Sequence, residues 1–394
     1  MLSLGLSEEL TAVQTTVREF TKTHVRPKLR AIEKSGAAAD LKARFAELGL
    51  FGVDWPASAG GSALGVTMRS VIEEELAFGD VGAAFALDRG GAAAALLLAL
   101  KTPAADAVLK TLVDGDGHAA LAAAEEGKAQ DDFRTTAVKQ GSDWLLNGKK
   151  AWVIGGGDAA VHLVLAQVET GKGLSGAGVF LVQGQSAGLR ASRQQTTLGL
   201  QAVPVREVIV EGLKLPASAR LDTPGTLHKT LRAAYDRLSL VTASRGVGLA
   251  NAAYEYARAY AEERTAFGKP IGHFQAIAFL LSDMAIAVDA ARLMVWKAAW
   301  TFDKGEPATM EIAAAQAQAL EASFFCANSA VQVLGGAGYV QDHPVEKWMR
   351  DAKTLSLYGQ HAQAANATLA AAATGRALDS TDLFPLPSLH ASLS

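Results

Sequence analysis

The stretch Glu263-Arg264-Thr265-Ala266-Phe267-Gly268-Lys269-Pro270-Ile271-Gly272-His273-Phe274-Gln275 divides two long helical patterns. Before it, Ala252, Tyr256, Ala259 and Tyr260 recur at helical spacing; after it, Ile277, Leu280, Leu281, Met284, Ile286 and Val288 do the same. Between them, Phe267-Gly268-Lys269-Pro270 stops one helix and lets the next begin, because Gly tolerates the conformation that ends a helix and Pro cannot continue one. Arg264 is a permanent planar cation and Phe267 an aromatic face. At a turn between helices the pair suits an anionic, partly aromatic ligand such as a dinucleotide. The plainer reading is a helix hairpin with a surface arginine, and this segment by itself does not separate the two.

Outward from it, helical periodicity covers 227–264, 272–302, 308–334 and 345–373, which predicts a four-helix bundle. The preceding stretch, 119–225, changes to short β-rich runs: Thr135–Val138, Asp143–Leu146, Ala160–Leu165, Gly178–Val182 and Glu207–Glu211. Asn147-Gly148 reads as a hairpin turn, and the whole as an antiparallel barrel or sandwich. Residues 1–118 read as helical, with Ser7 and Asp40 as caps, Pro27 as a break and a buried Ala/Leu helix after Gly90. Glu73, Glu74 and Glu75, on an amphipathic run from Val66 to Phe78, read as a solvated face. The expected organisation is α+β: a helical domain over 1–118, a β domain over 119–225, a helical bundle over 226–378 and a tail over 379–394. With Pro385 and Pro387, that tail is expected to be extended or disordered.

The chain has 394 residues, 49% hydrophobic, with net charge -3 and pI near 6.3. That balance offers no electrostatic footprint for nucleic acid or an anionic membrane. The longest apolar run, Gly90 to Leu100, falls short of the roughly 20 residues needed to span a bilayer, and no secretory signal opens the chain. A cytoplasmic protein is expected. The lone Cys326, among Phe324, Phe325 and Ala327, reads as a small core residue; no Cys/His cluster has metal spacing. His118, His162 and His273 read as structural.

Five ordered motifs carry a resemblance. They are Gly49-Leu50-Phe51-Gly52-Val53 with Pro56 and Gly60-Gly61; Asn147-Gly148-Lys149-Lys150-Ala151-Trp152; the Glu263–Gln275 stretch; Gln332-Val333-Leu334-Gly335-Gly336-Ala337-Gly338-Tyr339; and Pro344-Val345-Glu346-Lys347-Trp348-Met349-Arg350-Asp351-Ala352. In this order, over roughly residues 40–373, the sequence resembles the acyl-CoA dehydrogenase family. The resemblance implies a helical N-terminal domain, an antiparallel β-barrel and a C-terminal four-helix bundle. It also implies FAD as cofactor, an acyl-CoA thioester as substrate and an electron-transfer flavoprotein as acceptor. The family chemistry removes an α-proton with a carboxylate while the β-hydrogen leaves as hydride to FAD, so it needs a base, an oxyanion site and a held flavin.

Against that pattern the sequence has gaps. The family's Tyr-Glu-Gly-Thr run reads Leu357-Tyr358-Gly359-Gln360-His361, so the glutamate position holds Gly359 and the threonine position His361. The alternative base position, on the helix entering the bundle, falls on Leu238 by spacing from Gly248, beside Asp236 and Arg237. Losing a general base costs on the order of 10²–10⁴ in rate. The two hydroxyls that the family sets on the isoalloxazine are replaced by Ala124 and Ile154. In contrast, Arg264, Phe267, Gln332, Gly335 and Gly336 match positions that hold the FAD pyrophosphate and adenosine of a neighbouring subunit.

The resemblance therefore implies a subunit that lacks its own base and completes a partner's site, as in α2β2 dehydrogenases acting on bulky, for example steroid-derived, acyl-CoAs. Alternatives are a self-sufficient homotetramer with a relocated base (Asp236, Glu125, Glu126 or His361) and a flavin monooxygenase of the same fold using His361. A third is a non-enzymatic assembly subunit, which the retained Arg264 and Gln332 argue against. Arg237 and Arg245 are candidates for CoA phosphates.

Overall fold

The computed structural model describes residues 5–114, 117–126, 133–358 and 362–377. Ser7 opens the first helix, its hydroxyl accepting from the Leu10 amide (3.3 Å), with Glu8 and Glu9 at the positive end of the dipole. Helix α1 (Glu8–Phe20) passes through a π turn (Thr21–Val25) and a 3₁₀ turn (Arg26–Lys28) into α2 (Leu29–Ser35). Pro27 lies in the 3₁₀ turn, where its missing N–H prevents a continuous α ladder. Next come α3 (Ala39–Glu47), α4 (Gly65–Leu87), α5 (Gly91–Leu100) and α6 (Pro103–Asp114). Asp40 sits inside the first turn of α3, paired with Lys28 at 3.0 Å, and does not cap it.

Helix α4 is the axis of the molecule, buried along almost its whole length. Its first amides, Val66 and Thr67, donate to the Asp303 carboxylate at 2.7 and 2.8 Å. It breaks at Asp80, whose backbone is extended, and resumes where the Asp80 carboxylate accepts from the Ala83 amide at 3.0 Å. Glu73, Glu74 and Glu75 are buried, correcting the solvated face read from their charge. Successive helical residues point about 100° apart, so each glutamate meets an arginine on a different element. Glu73 pairs with Arg245 at 2.7 Å, Glu74 with Arg292 at 2.7 Å, and Glu75 with Arg18.

The middle region holds β1 (Ala119–Ala122), β2 (Thr136–Gln140), β3 (Asp143–Ile154), β4 (Val161–Val168), β5 (Ala177–Gln183), β6 (Leu189–Ala191) and β7 (Val205–Leu215). Their order is β1-β4-β2-β3-β7-β6, with β5 also on β4. Both β1 and β2 run parallel to β4, so the sheet is mixed where short alternating runs led to an antiparallel expectation. Asn147-Gly148 is not a turn either. It lies within β3 as a register shift, because its neighbours pair with β7 and the Asn147 side chain accepts from the Gly212 amide at 2.7 Å.

The last region is helical: α7 (Leu227–Glu263), α8 (Gln275–Asp303), α9 (Thr309–Leu334), α10 (Gly336–Tyr339), α11 (Val345–Leu355) and α12 (Ala362–Ala373). Between α7 and α8 the chain makes a small hairpin, β8 (Thr265–Ala266) and β9 (Lys269–Pro270), turned by Phe267 and Gly268, both at positive φ. The helix expected over 345–373 is two, α11 and α12. Lys347 on α11 is buried between Asp80 (2.5 Å) and Asp351 (2.6 Å), and Asp351 also accepts from the Leu200 amide at 2.6 Å. One cation thus ties α4, α11 and the loop after β6. Cys326 is buried in the bundle core, its thiol pushed up to about 12 by burial. No single helix among the described residues is long and apolar enough to cross a membrane. The tail with Pro385 and Pro387 lies outside the described residues.

Candidate active site

The five positions matched to cofactor contacts across subunits lie on the surface of the helical bundle. Arg264 leaves α7 exposed, its carbonyl accepting from the Ile271 amide at 2.8 Å to close the hairpin. Phe267 at the hairpin tip is 96% exposed, its ring meeting only the edge of Phe274 among the described aromatic contacts. Gln332, Gly335 and Gly336 form the corner from α9 into α10, also exposed. Gly335 is at positive φ, and a Cβ at either glycine would meet nothing within 4 Å. Backbone at both places is used in the hairpin and the corner, while among the described residues the exposed Arg264 and Gln332 side chains make no hydrogen bond or ion pair within the chain.

The positions matched to the flavin's other side sit together in the sheet region. The Ala151 amide donates to the Ala124 carbonyl at 2.9 Å, holding the loop after β1 beside the end of β3. Neither Ala124 nor Ile154 brings a hydroxyl. Trp152 between them is 56% exposed and at φ +49°, a conformation an aromatic residue rarely adopts. Below this surface, buried Lys150 bonds Glu125 at 2.7 Å and the Ala123 carbonyl at 3.1 Å. Burial lowers the Lys150 ammonium to about 8 against the pull of Glu125. Glu125 also accepts from the Arg134 amide, the Thr135 amide and the Thr135 hydroxyl at 2.6, 3.0 and 2.7 Å. The Lys150 ammonium first, and then those donors, outweigh its desolvation and hold it below the usual carboxylate range, so it is a poor proton acceptor. Glu126 is exposed.

His118 and His162 support the turn that follows. His118 Nε2 lies 3.1 Å from the Gly155 carbonyl, and the Gly157 amide donates to His162 Nε2 at 3.3 Å. Burial holds His162 down to about 4, a neutral ring. His273 is exposed, and its carbonyl accepts from Lys269 Nζ at 3.3 Å.

The alternative base position, Leu238, is buried and lines a cleft between α4, α5 and α7 with Asp54, Trp55, Arg69, Asp88 and Arg237 among its neighbours. Tyr358 approaches the same walls: its ring packs edge-on to Phe85 at 4.6 Å, and its hydroxyl would stand 3.7 Å from a Cβ on Gly91. Gly359 and His361 follow directly and lie outside the described residues. Asp236 turns away from the cleft lining and accepts from the Thr309 hydroxyl at 2.7 Å; burial raises its carboxyl above the usual range.

Neither arginine assigned to CoA phosphate is a free surface cation. Arg237 pairs with Asp54. Arg245 is fully buried, bonded to Glu73 and Asp88 at 2.7 Å each over the Phe85 ring at 4.3 Å. Arg69 completes this network through Glu73 at 2.6 Å and Asp88 at 3.3 Å. The two arginines hold Asp88 at about 2 despite its desolvation. Arg69 and Asp88 belong to no motif in the sequence. The available signal was Arg245 itself, a lone charge in the otherwise apolar and small run from Leu238 to Ala253.

Three family profiles match in order: acyl-CoA dehydrogenase, N-terminal domain over residues 7–116, middle domain over 120–213 and C-terminal domain over 232–373. The chain belongs to the acyl-CoA dehydrogenase family, a family of flavoprotein enzymes. It is 32% identical over 366 residues to the probable acyl-CoA dehydrogenase FadE25 of Mycobacterium tuberculosis, covering 90% of this chain and 92% of that protein. It is 30% identical over 361 residues to the short-chain specific mitochondrial acyl-CoA dehydrogenase of Rattus norvegicus, covering 90% and 88%. Among solved structures, butyryl-CoA dehydrogenase from Megasphaera elsdenii superposes with a TM-score of 0.87 at 26% identity, covering 95% of this chain and 100% of that one. A glutaryl-CoA dehydrogenase–glutaryl-CoA complex gives 0.88 at 27%, covering 95% and 97%.

Proposed function

We propose that this chain takes part in the α,β-dehydrogenation of an acyl-CoA thioester as the base-less subunit of a heteromeric, α2β2 complex. The observation that carries the reading is a division of the site. The positions that would serve a neighbour's FAD are exposed and unspent, while Leu238 and Gly359 stand at both base positions and Ala124 and Ile154 at the hydroxyl positions.

The residues fit the cofactor in one half. Arg264 would face a pyrophosphate, Gly335 and Gly336 leave room for a close approach, and Phe267 and Gln332 would flank the adenosine. FAD, when bound, supplies the hydride acceptor. Within its own subunit the chain offers Trp152 as an exposed aromatic face but no hydroxyl donor. An unmet flavin carbonyl would cost about 1–3 kcal/mol. Among the described residues the two carboxylates lining the cleft are both in ion pairs, Asp88 with two arginines and Asp54 with Arg237. The partner supplies the base. An electron-transfer flavoprotein as acceptor, a cytoplasmic location and a lipid or steroid substrate belong to the same proposal.

The test is visible absorbance. The chain alone is expected to be colourless, and the chain co-purified with a homologous dehydrogenase yellow, with about one FAD per pair. A chain that alone carries stoichiometric FAD and bleaches with acyl-CoA overturns the reading. That outcome favours a second reading, a self-sufficient homotetramer with a relocated base, Asp236 or His361; burial raises the Asp236 carboxyl, which bonds Thr309 outside the cleft lining.

A further inference from the structure

Helix α8 buries one side in the bundle core through Met284, Val288, Ala291 and Val295, and carries a second apolar line on its outer side. Phe279, Ile286, Leu293 and Trp300 are 60, 66, 39 and 53% exposed, and each follows the last by seven residues. Seven residues bring a helix back to nearly the same face, with a drift of about 20° each time. The four side chains therefore form one stripe about 30 Å long. Single exposed apolar residues need no explanation, but a contiguous line of large ones marks a contact with another molecule.

The charges beside the stripe select the molecule. Asp283 and Lys297 are exposed and, at 100° per residue, stand on the same flank of the stripe. Neither forms an ion pair with another described residue. On the other flank Asp289 is already paired with Arg292 at 2.8 Å. Two copies of one chain meet about a two-fold axis, which runs either along α8 or across it. An axis along the helix makes the copies parallel and sets the Asp283 flank against the Asp289 flank of the second copy, acid beside acid. An axis across the helix, between Asp289 and Ala290, makes them antiparallel. Phe279 then meets Trp300 of the second copy, Ile286 meets its Leu293, and Asp283 comes level with its Lys297, twice by symmetry. The small Ala290 lies at the centre, where the helices approach. A lipid surface would instead meet two acids and one lysine, the wrong balance for an anionic bilayer.

We propose that α8 is an interface with a second copy of this chain, packed antiparallel through Phe279, Ile286, Leu293 and Trp300 and set in register by Asp283 and Lys297. The inference does not depend on which subunit holds the base. In an α2β2 complex the contact joins the two base-less chains, and in a homotetramer it joins any two.

The experiment is sedimentation velocity of the full chain over a concentration series at low ionic strength, where exposed ion pairs are least screened. The wild type is expected to self-associate. Ile286→Glu, which sets a carboxylate within the stripe, should raise the dissociation constant about a hundredfold or more. Asp283→Lys and Lys297→Asp each bring like charges together twice and should weaken association about fivefold or more. The double variant Asp283→Lys/Lys297→Asp should restore it, because the antiparallel register returns opposite charges to each other. All three positions are exposed in the single chain, so its melting temperature should not change. A wild type that stays monomeric would overturn the proposal, as would association indifferent to Ile286→Glu. Charge variants without effect, or not rescued in combination, would overturn it too and would point to a parallel pair or to the base-bearing homologue on this face. Sedimentation reads mass and the base-less reading is tested by flavin colour, so the two can fail separately.

Discussion

Gly248 on α7 lies so close to Glu74 on α4 that a Cβ there would stand 2.1 Å from the Glu74 carbonyl oxygen and 2.9 Å from the Phe78 amide nitrogen. Both atoms are backbone and cannot swing aside. Gly248→Ala should therefore force the two helices apart, losing about 3 kcal/mol. Gly246→Ala, whose Cβ would meet the Ala319 carbonyl at 3.0 Å, should lose less. Melting temperatures of the two variants check this; Gly248→Ala melting no lower than wild type would show that α4 and α7 can slide.

Lys347 separates two carboxylates that are themselves buried. Lys347→Met leaves Asp80 and Asp351 facing each other without a cation, an expected loss of about 3–5 kcal/mol. Adding Asp80→Asn and Asp351→Asn should recover part of it. Urea unfolding of the three proteins measures both steps, and a single variant as stable as wild type would mean that the aspartates share a proton.

Asp88 is held at about 2 from a usual value of 3.8, mainly because Arg69 and Arg245 overcome its desolvation. A carboxylate with a lowered folded-state value stabilises fully above the unfolded value and loses that contribution as pH falls toward 2. The amount is on the order of 2 kcal/mol. Stability followed from pH 5 to 2 should fall more steeply in wild type than in Asp88→Asn; parallel curves would contradict the assignment.

Ala124 and Ile154 can be given back their hydroxyls. Ala124→Thr and Ile154→Thr should each tighten FAD binding by the chain alone, by about fivefold to a hundredfold. Fluorescence titration reads the change directly. Unaltered affinity in both would mean that the flavin's polar edge is met elsewhere.

Arg264 is exposed on the hairpin, so Arg264→Ala should leave the melting temperature of the lone chain unchanged. In the assembled complex it should lower FAD retention about tenfold or more, since a charged hydrogen bond to phosphate is removed. Full retention after gel filtration would separate Arg264 from any cofactor.

The bundle helices were legible in the sequence because apolar residues repeat at helical spacing and Gly268 and Pro270 punctuate them. Glu73–Glu75 were not, because three adjacent acids look solvated until Arg18, Arg245 and Arg292 arrive from distant parts of the chain. Asn147-Gly148 misled for a related reason: a strong local turn signal was overridden by pairing with β7. Strand β1 is three alanines and a leucine, with little intrinsic preference for a strand, and β6 is three residues long. At the site, the substitutions Leu238, Gly359, Ala124 and Ile154 could be read directly from motifs. The network of Arg69, Glu73, Asp88 and Arg245 could not, since an ion pair between distant parts of the chain exists only once those parts are placed.

Arg18 precedes helix α4, but the helix's other long-range partners, Arg245, Arg292, Asp303 and Lys347, leave the ribosome long after it. At about 5–20 residues per second, that delay is on the order of ten seconds to a minute. Through that interval an apolar helix carries Glu73 and Glu74 without Arg245 and Arg292, a standing demand on chaperones during every round of synthesis.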